Sequence, residues 1–421
     1  MKVLIQQASI IDPSSPLHGK IQDIYIENGK IQQIADHLDV ADATVIQGKN
    51  LHVSTGWVDL FAQMGDPGYE YKETLETGAA AAAAGGFIHV AIVPNTKPVV
   101  DNKTQVDYIK NKSATLPVNI YPLGAVTQKA DGKELAEMYD MHKAGAVAFT
   151  DGIHPIQNAG LLVKALQYVK AIDVPVIQIP DDTSIGAQGQ MHEGVVSTRL
   201  GFPGKPVMAE ELLVARDIKL ARYAEAKLHF TGVTSPKSLE YIRRAKQSGA
   251  GITCSVTPYH LYLNEENLIN YDSNLKVYPP LRPQSMVDEL KKALLDGTVD
   301  CITTHHQPHE FDSKVLEFEY AKPGMIGLET AFSVIRTAVP ELSMERLVYL
   351  LSTRPAELLK ITLPSIQVGA TASITLFDPE EEVTVTKNSL YSKSLNTPFL
   401  NKTLKGKVLG IINGHHTIIH S

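Results

Sequence analysis

The chain has 421 residues, of which 43% are hydrophobic, and can therefore bury a large core in one big domain with a smaller satellite. Its formal net charge of −7 excludes a broad basic face for nucleic acid and a polybasic patch for a membrane surface. Gln6 and Gln7 interrupt the apolar N-terminal stretch, which argues against a signal peptide, and no run reaches the ~18 apolar residues of a membrane helix.

The cysteine content indicates a reducing compartment. Cys254 and Cys301 are too few for a disulfide framework, and neither belongs to a Cys-x-x-Cys pair. We expect two buried thiols in a cytoplasmic protein, and a bond between the two stays open as an alternative.

The two ends of the chain have the same character, with short β-rich runs separated by turns. In residues 1–54 these runs alternate with turns such as Asn28-Gly29, and similar runs return in residues 365–421. We therefore predict that the two ends meet in one small β-sandwich domain.

Residues 55–364 alternate short apolar runs with helical stretches, among them an alanine run at 79–84 that is interpreted as a helix packed closely on a sheet. Seven or eight apolar runs are rich in β-branched residues, as expected of strands. Strands that alternate with helices favour a parallel sheet, and this number over ~310 residues fits a TIM (β/α)8 barrel better than an open sheet. After the opening strand at 56–62, the strand candidates are residues 89–94, 119–123, 146–150, 175–178, 227–230, 251–254 and 301–304.

Several motifs stand at the ends of these predicted strands, where a TIM barrel places its chemistry. They include the stretch 56–68, Val93-Pro94-Asn95-Thr96-Lys97-Pro98, Ala209-Glu210-Glu211, Ala215-Arg216-Asp217, Val256-Thr257-Pro258-Tyr259-His260-Leu261, Pro279-Pro280-Leu281-Arg282, Gly327-Leu328-Glu329-Thr330 and Ser392-Lys393-Ser394-Leu395-Asn396-Thr397-Pro398-Phe399. In their order and spacing, the chain resembles the dihydroorotase branch of the amidohydrolase superfamily over essentially its full length. The resemblance implies hydrolysis or closure of a cyclic amide, with one or two zinc ions generating hydroxide.

The positions that hold zinc in the resembled family are mostly changed in this chain. Where the family's first strand reads Asp-x-His-x-His, this chain has Phe61 and Gln63. The later ligand positions fall at Asp151, Gln178 and Gly232, so only Asp151 keeps the family's residue. Phenylalanine has no lone pair, and a neutral amide is a poor zinc ligand. We therefore predict that zinc binding is lost and that the protein has no metal or other cofactor.

The residues that the resemblance assigns to the substrate are altered as well. His305 stands in place of the aspartate that serves as general acid and base, so no catalytic residue is predicted. Gly65 replaces an arginine that would hold the substrate carboxylate, and Tyr278 replaces an asparagine. A residual substrate pocket is predicted from Asn95, Asp151 and His306.

Other polar residues offer weaker alternatives for a site. His305, His306 and His309 are close in sequence, but two adjacent strand residues point to opposite faces and would not chelate one metal together. His154 is the best-placed candidate for a residual site, although no partner for it remains on the first strand. The pair Asp181-Asp182 is interpreted as solvating a loop or capping a helix.

Two functions of different classes follow from the resemblance. Some bacteria carry a dihydroorotase-like protein without the zinc ligands that assembles with aspartate transcarbamoylase, and this chain resembles those proteins in the pattern of its losses. We therefore expect a catalytically deficient structural partner of aspartate transcarbamoylase in pyrimidine biosynthesis, itself a homo-oligomer. The alternative is an active dihydroorotase or related cyclic amidohydrolase with atypical ligands. A protein that only binds a small molecule in the inherited pocket is a third hypothesis.

Overall fold

The structure is a computed structural model, and it describes residues 2–420. The strands are β1 (Lys2–Ile11), β2 (Ile21–Glu27), β3 (Lys30–Ala35), β4 (Thr44–Ile46), β5 (His52–Thr55), β6 (Trp57–Ala62), β7 (Phe87–Ile92), β8 (Asn119–Pro122), β9 (Val176–Gln178), β10 (Met191–His192), β11 (Gly204–Lys205), β12 (Leu228–Phe230), β13 (Ile252–Val256), β14 (Cys301–Ile302), β15 (Ser373–Thr384), β16 (Thr403–Asn413) and β17 (His416–Ile419). The helices are α1 (Leu75–Ala84), α2 (Lys103–Ser113), α3 (Met138–Ala144), α4 (Ala159–Lys170), α5 (Val195–Leu200), α6 (Met208–Ala224), α7 (Pro236–Gln247), α8 (Pro258–Tyr262), α9 (Gln284–Leu295), α10 (Phe311–Lys314), α11 (Ala331–Ala338), α12 (Met344–Val348) and α13 (Arg354–Leu359).

The central strands close into a parallel barrel, which confirms the predicted fold class. β6, β7 and β8 pair in one parallel group, and β9, β12, β13 and β14 pair in a second. Phe149 joins the groups through bridges to Gly124 and Val176, so the predicted strand at 146–150 contributes one bridging residue. The ring closes where the Gln63 backbone N–H donates to the His306 carbonyl at 2.7 Å. The C-terminal ends of all these strands therefore meet at one barrel mouth.

The alanine-rich helix α1 packs closely on the barrel, as its small side chains allow. Thr74 caps its N-terminus through a hydrogen bond from the Thr77 backbone N–H, and Ala79, Ala81, Ala82 and Ala83 are buried. A β-carbon at Gly78 would lie 2.8 Å from the sulfur of Met64, which follows the first barrel strand. The packing of α1 thereby fixes Met64, at the start of the loop that follows β6.

The two ends of the chain meet in one β-rich unit, as predicted. Its sheet has the order β17-β16-β15-β5-β1-β2-β3, with β4 added beside β1. The N- and C-terminal parts join where β15 pairs antiparallel with β5. The strands belong to one continuous sheet that buries an apolar cluster including Val3, Ile24 and Ile374, and β6 begins two residues after β5 ends.

Cys254 and Cys301 are both free thiols, buried on neighbouring strands of the barrel. Burial raises the pKa of Cys254 to about 12, so its thiol stays protonated and unreactive at neutral pH. Among residues 2–420, no helix combines the length and the apolar character needed to cross a membrane.

Candidate functional site at the barrel mouth

A cavity of about 330 Å³ opens among the loops that follow the barrel strands. Gln63 and Gly65 line it from the loop after β6, and Asn95 from the loop after β7. His154 contributes from the segment after Phe149, and His309 from the segment after β14. The cavity therefore lies where the barrel would carry out chemistry, and it has the size of a small-molecule site.

Phe61 and His305, which are not among the residues that line this cavity, pack against each other. Their ring centroids are 4.7 Å apart with the planes tilted by 35°, and both side chains are buried. His305 also places Nε2 at 2.7 Å from the hydroxyl of Thr231. The imidazole is thus held by an aromatic ring at one of the family's ligand positions and by a hydroxyl.

The backbone at Gly232 depends on the same imidazole. Gly232 has φ +69°, a left-handed conformation that favours glycine, and a β-carbon there would lie 2.7 Å from Cε1 of His305. The space that a ligand side chain at position 232 would need is therefore filled by the His305 ring. Gly232 and His305, which both differ from the family pattern and are separated by 73 positions in sequence, therefore pack directly against each other.

Asp151, the one ligand position that keeps the family's residue, directs its carboxylate into the framework. Oδ1 accepts the backbone N–H groups of Val126 and Thr127, both at 2.9 Å, and Oδ2 accepts the Thr127 hydroxyl at 2.6 Å. Burial raises the pKa of Asp151 to about 6, while these three hydrogen bonds act in the opposite direction. The carboxylate holds the loop after β8, and Asp151 is not one of the described residues that line the cavity.

Gln178 is likewise used to hold the scaffold together. Its Oε1 accepts the backbone N–H of Ile156 at 3.1 Å, and its Nε2 donates to Oδ2 of Asp217 at 2.7 Å. Arg216 donates to the other oxygen of Asp217 at 2.7 Å. Burial raises the pKa of Asp217, while Arg216 and Gln178 lower it. The amide of Gln178 thus links the barrel to α6 with its donor and acceptor both engaged.

The two replaced substrate positions have local structural reasons for their residues. A β-carbon at Gly65 would lie 2.4 Å from the carbonyl oxygen of Tyr69, so this turn does not admit an arginine. The Tyr278 hydroxyl donates to Asp181 at 2.7 Å, and Asp181 pairs with Lys205 at 3.0 Å. The interpretation of Asp181 as a solvated or capping residue is therefore wrong, because it is a buried acceptor between two side chains.

Asn95 and His306, predicted for the residual pocket, have different surroundings. Asn95 lines the cavity, but its amide clamps the following loop, donating to the Asp151 carbonyl and accepting the Ile153 N–H, both at 3.0 Å. His306 is buried, with Nδ1 accepting the Gly327 N–H at 3.2 Å and Nε2 lying 3.5 Å from Glu73. The structure therefore places Asn95 at the cavity, whereas His306 is buried and is not among the residues that line it.

The neighbouring histidines diverge, as predicted, although the reason is different. His305 and His306 lie beyond the end of β14, and His305 has φ +45°, so strand alternation does not apply to them. His309 reaches the cavity wall, where Nε2 lies 2.9 Å from the Pro323 carbonyl. Within residues 2–420, no group of three or more His, Cys, Asp or Glu side chains is arranged to hold a metal.

The donor set at the mouth does not fit the zinc of the family. Phe61 offers no lone pair, Gly232 has no side chain, and the Gln178 amide is occupied on both ends. Asp151 is the one anionic candidate, and both of its oxygens already accept hydrogen bonds from the loop after β8. These residues therefore support no catalytic step through a metal.

His305 is expected to stay neutral across the physiological pH range. Burial lowers its pKa from 6.5 to about 3, and the nearby His260 and His229 act in the same direction. Below pH 6.5 the His305 imidazole of the unfolded chain binds a proton, whereas the buried imidazole of the folded chain stays neutral. Protonation therefore favours the unfolded chain, and the free energy of unfolding falls as the pH is lowered from 6.5 towards 3.

Proton NMR tests this expectation on the ring Cε1–H of His305, assigned by comparison with His305→Gln. We expect no titration shift between about pH 7.5 and about pH 5, where an added imidazole compound in the same tube titrates. A midpoint near that of free imidazole would contradict the buried, hydrogen-bonded placement.

The family motifs that persist in this chain hold loops together. Asp59 accepts the Thr303 hydroxyl and the Thr304 N–H at 2.8 and 2.7 Å, which ties β6 to the end of β14. Asn396 accepts the backbone N–H of His309 at 3.0 Å and donates to the Gln307 carbonyl at 2.9 Å. Retained residues thus maintain the shape of the mouth, while the changed residues are those expected to carry the chemistry.

Glu210 and Arg282 form a second retained unit beside the mouth. Both are buried, and their charged groups are 3.4 Å apart. Glu210 also accepts the backbone N–H groups of Thr234 and Ser235 at 3.0 and 2.8 Å, and Arg282 donates to the Thr234 hydroxyl at 2.8 Å. This unit fixes the segment after β12 against the segment that contains Arg282.

Three lysines that line the cavity, Lys72, Lys129 and Lys322, are absent from the predicted site residues. Each lies on a different loop and none belongs to one of the family motifs, so the sequence carries no spacing signal that groups them. Only the closed barrel brings them to one cavity.

Comparison with known proteins agrees with the motifs. The family model described as Dihydro-orotase-like matches residues 51–238. A protein named Dihydroorotase from Pelotomaculum thermopropionicum is 41% identical over 424 residues, covering 100% of this chain and 99% of that protein. Another, from Caldanaerobacter subterraneus, is 42% identical over 412 residues, covering 97% and 95%.

Solved structures agree with the fold. The L-hydantoinase (dihydropyrimidinase) of Arthrobacter aurescens superposes with a TM-score of 0.86 at 22% identity, covering 99% of this chain and 96% of that one. A D-hydantoinase (dihydropyrimidinase) from Thermus gives a TM-score of 0.81 at 19% identity, covering 99% and 97%. At sequence identities of 22% and 19%, this structural similarity shows the fold alone. Because relatives about 40% identical match nearly the whole length of the sequence, the chain belongs to the dihydroorotase family of the amidohydrolase superfamily.

Proposed function

We propose that this protein is a non-hydrolytic dihydroorotase homologue of pyrimidine biosynthesis that acts as an assembly partner of aspartate transcarbamoylase. One observation carries the loss of hydrolysis: the His305 ring, packed on Phe61, fills the space beside Gly232 where a ligand would stand. Nε2 of this buried imidazole faces the Thr231 hydroxyl, so the ring fills the place of a ligand without presenting that nitrogen to a metal or a water.

The pattern of retained contacts supports the scaffold role. Asp59, Asn396 and the Glu210–Arg282 unit keep the mouth loops in a defined arrangement although the ligand positions have changed. Ordered loops of this kind are what an assembly surface requires, since contacts across an interface need a defined shape. We also propose that this protein forms a homo-oligomer and is located in the cytoplasm.

Zinc content and hydrolysis test the first half of the proposal. The protein is purified after growth with added zinc, analysed for metal by mass spectrometry, and assayed for dihydroorotate hydrolysis beside the relative from Caldanaerobacter subterraneus. We expect zinc far below one atom per chain and no turnover above background, because the side chains that would donate to zinc are missing. Stoichiometric zinc together with dihydroorotate turnover would instead establish the alternative, an active cyclic amidohydrolase with atypical ligands.

Co-expression tests the partnership. Aspartate transcarbamoylase from the same genome is produced with and without this chain, and the products are compared by size-exclusion chromatography with light scattering. We expect one co-eluting complex, carbamoyltransferase activity that is higher or more stable in that complex, and a homo-oligomer for the isolated chain. Separate elution with unchanged transcarbamoylase activity would reject the partnership and leave the family assignment intact.

A further inference from the structure

The charge of the cavity at the barrel mouth is opposite to that of the whole protein. The chain carries a net charge of −7, yet the residues that line this cavity include Lys72, Lys129 and Lys322 and no Asp or Glu. Among residues 2–420, none of these three lysines forms an ion pair within 4.0 Å, whereas many other lysines of the chain do. Local positive charge inside a concave site attracts anions.

Lys72 is the best fixed of the three. It is half-buried, and its Nζ lies 3.4 Å from Nδ1 of His309 and 5.5 and 5.8 Å from the ring centroids of Tyr69 and Tyr71. Burial lowers its pKa, the nearby Glu310 raises it, and the positive charge of Lys322 lowers it again. Both lysines line the same cavity, so an anion between them would reduce the repulsion of their like charges.

The other two lysines come from separate loops. Lys129 has φ +57°, and its backbone N–H donates to Asp101 at 2.8 Å, which fixes the turn after β8. Lys322 lies beyond α10 and is exposed at the rim. The side-chain amides of Gln63 and Gln307 also line the cavity and make no hydrogen bond to another of the described residues. These amides offer neutral donors beside the three charges.

We propose that the barrel mouth binds a small polyanion, with two or more phosphate or carboxylate groups, through Lys72, Lys129 and Lys322. The inference rests on the proposed function, because it treats the mouth as free of zinc. Three cations on three loops suit a ligand whose negative charges are separated, and a volume of about 330 Å³ admits a compact one. No bond is made or broken in this step.

Calorimetric titration of the full-length protein, in a buffer free of chelators and of other polyanions, tests the proposal. The probes are inorganic pyrophosphate, succinate and the uncharged analogue succinamide, each at two ionic strengths. We expect one site per chain for pyrophosphate, for succinate or for both, weaker at high salt, and no heat from succinamide. The tighter of the two anions identifies whether phosphate or carboxylate is the preferred group.

Single variants make the test specific. Lys72→Met, Lys129→Met and Lys322→Met are each expected to weaken the anion about tenfold, since each removes one charge-assisted contact. Lys219→Met, at an exposed lysine on α6, is the matched control and should bind as the parent does. Circular dichroism confirms folding of every variant.

No binding of either anion, or equal binding by the three lysine variants and the control, would overturn the inference. Zinc is measured on the same preparations. A zinc-loaded mouth would therefore contradict the proposed function, whereas failure of zinc-free protein to bind would contradict this inference alone.

Discussion

Replacing Gly232 with alanine should lower the free energy of unfolding by about 3 kcal/mol, roughly 1 from a β-carbon in the left-handed region and the rest from overpacking. The added carbon would lie 2.7 Å from Cε1 of His305, inside van der Waals contact. The same contact predicts that a histidine introduced at position 232 alone will not rebuild a metal ligand. Urea denaturation followed by circular dichroism measures the change.

A glycine with the same conformation but open surroundings provides the control. Gly201 has φ +75°, and no other atom lies within 4 Å of the place that a β-carbon would take, so Gly201→Ala should cost only about 1 kcal/mol. In a His305→Ala background the obstructing ring is gone, and Gly232→Ala should then cost about as little as the control. Equal costs of Gly232→Ala with and without His305 would show that the two residues do not share this space.

Replacing Glu210 with glutamine should cost about 4 kcal/mol of unfolding free energy, because a buried arginine loses its counter-ion. Arg282 and Glu210 have side chains only 3% and 2% exposed, so water does not compensate the remaining charge. Glutamine keeps the size of the side chain and an acceptor for the Thr234 and Ser235 N–H groups. The other oxygen, Oε2, accepts the Thr234 hydroxyl, so the loss reports the charge together with this hydrogen bond, and chemical denaturation measures it.

An exposed ion pair is the matched control for Glu210. Lys237 and Glu240 lie 2.7 Å apart on α7 with side chains 48% and 32% exposed, and Arg244 also pairs with Glu240. Because water screens these charges, Glu240→Gln should cost far less than Glu210→Gln. Adding Arg282→Met to Glu210→Gln removes the orphaned charge and should restore part of the stability. If Glu210→Gln proves as mild as the control, the retained motif does not support the mouth in the way proposed.

The sequence predicted the architecture well because that information is periodic and local. Strands alternating with helices indicated the barrel, and the β-rich ends indicated the terminal unit. The weakest of the predicted strands, residues 146–150, contributes a single bridging residue. Its neighbours Gly124 and Val176 are distant in sequence, so strand length there depends on barrel closure, which no local pattern records.

The candidate site could be predicted only as a set of positions. Residue type alone shows that Phe61 and Gly232 offer no zinc ligand, since ligation requires a lone pair. Residue type did not show that the Asp151 carboxylate accepts hydrogen bonds from the loop after β8. It also did not show that Asp181 is buried between Tyr278 and Lys205. Side-chain direction beyond a strand end depends on loop geometry rather than on alternation.

By itself, then, the sequence determined the family, the barrel and the chemistry that its ligand positions no longer offer, because motif order and donor atoms are properties of residues. Only the tertiary structure showed which contacts form at and around the changed ligand positions. These are the His305 ring beside Gly232, the hydrogen bond from Gln178 to Asp217, and three lysines around one cavity. Such contacts join residues far apart in the chain, and they exist only once the barrel has closed and brought its loops to one mouth.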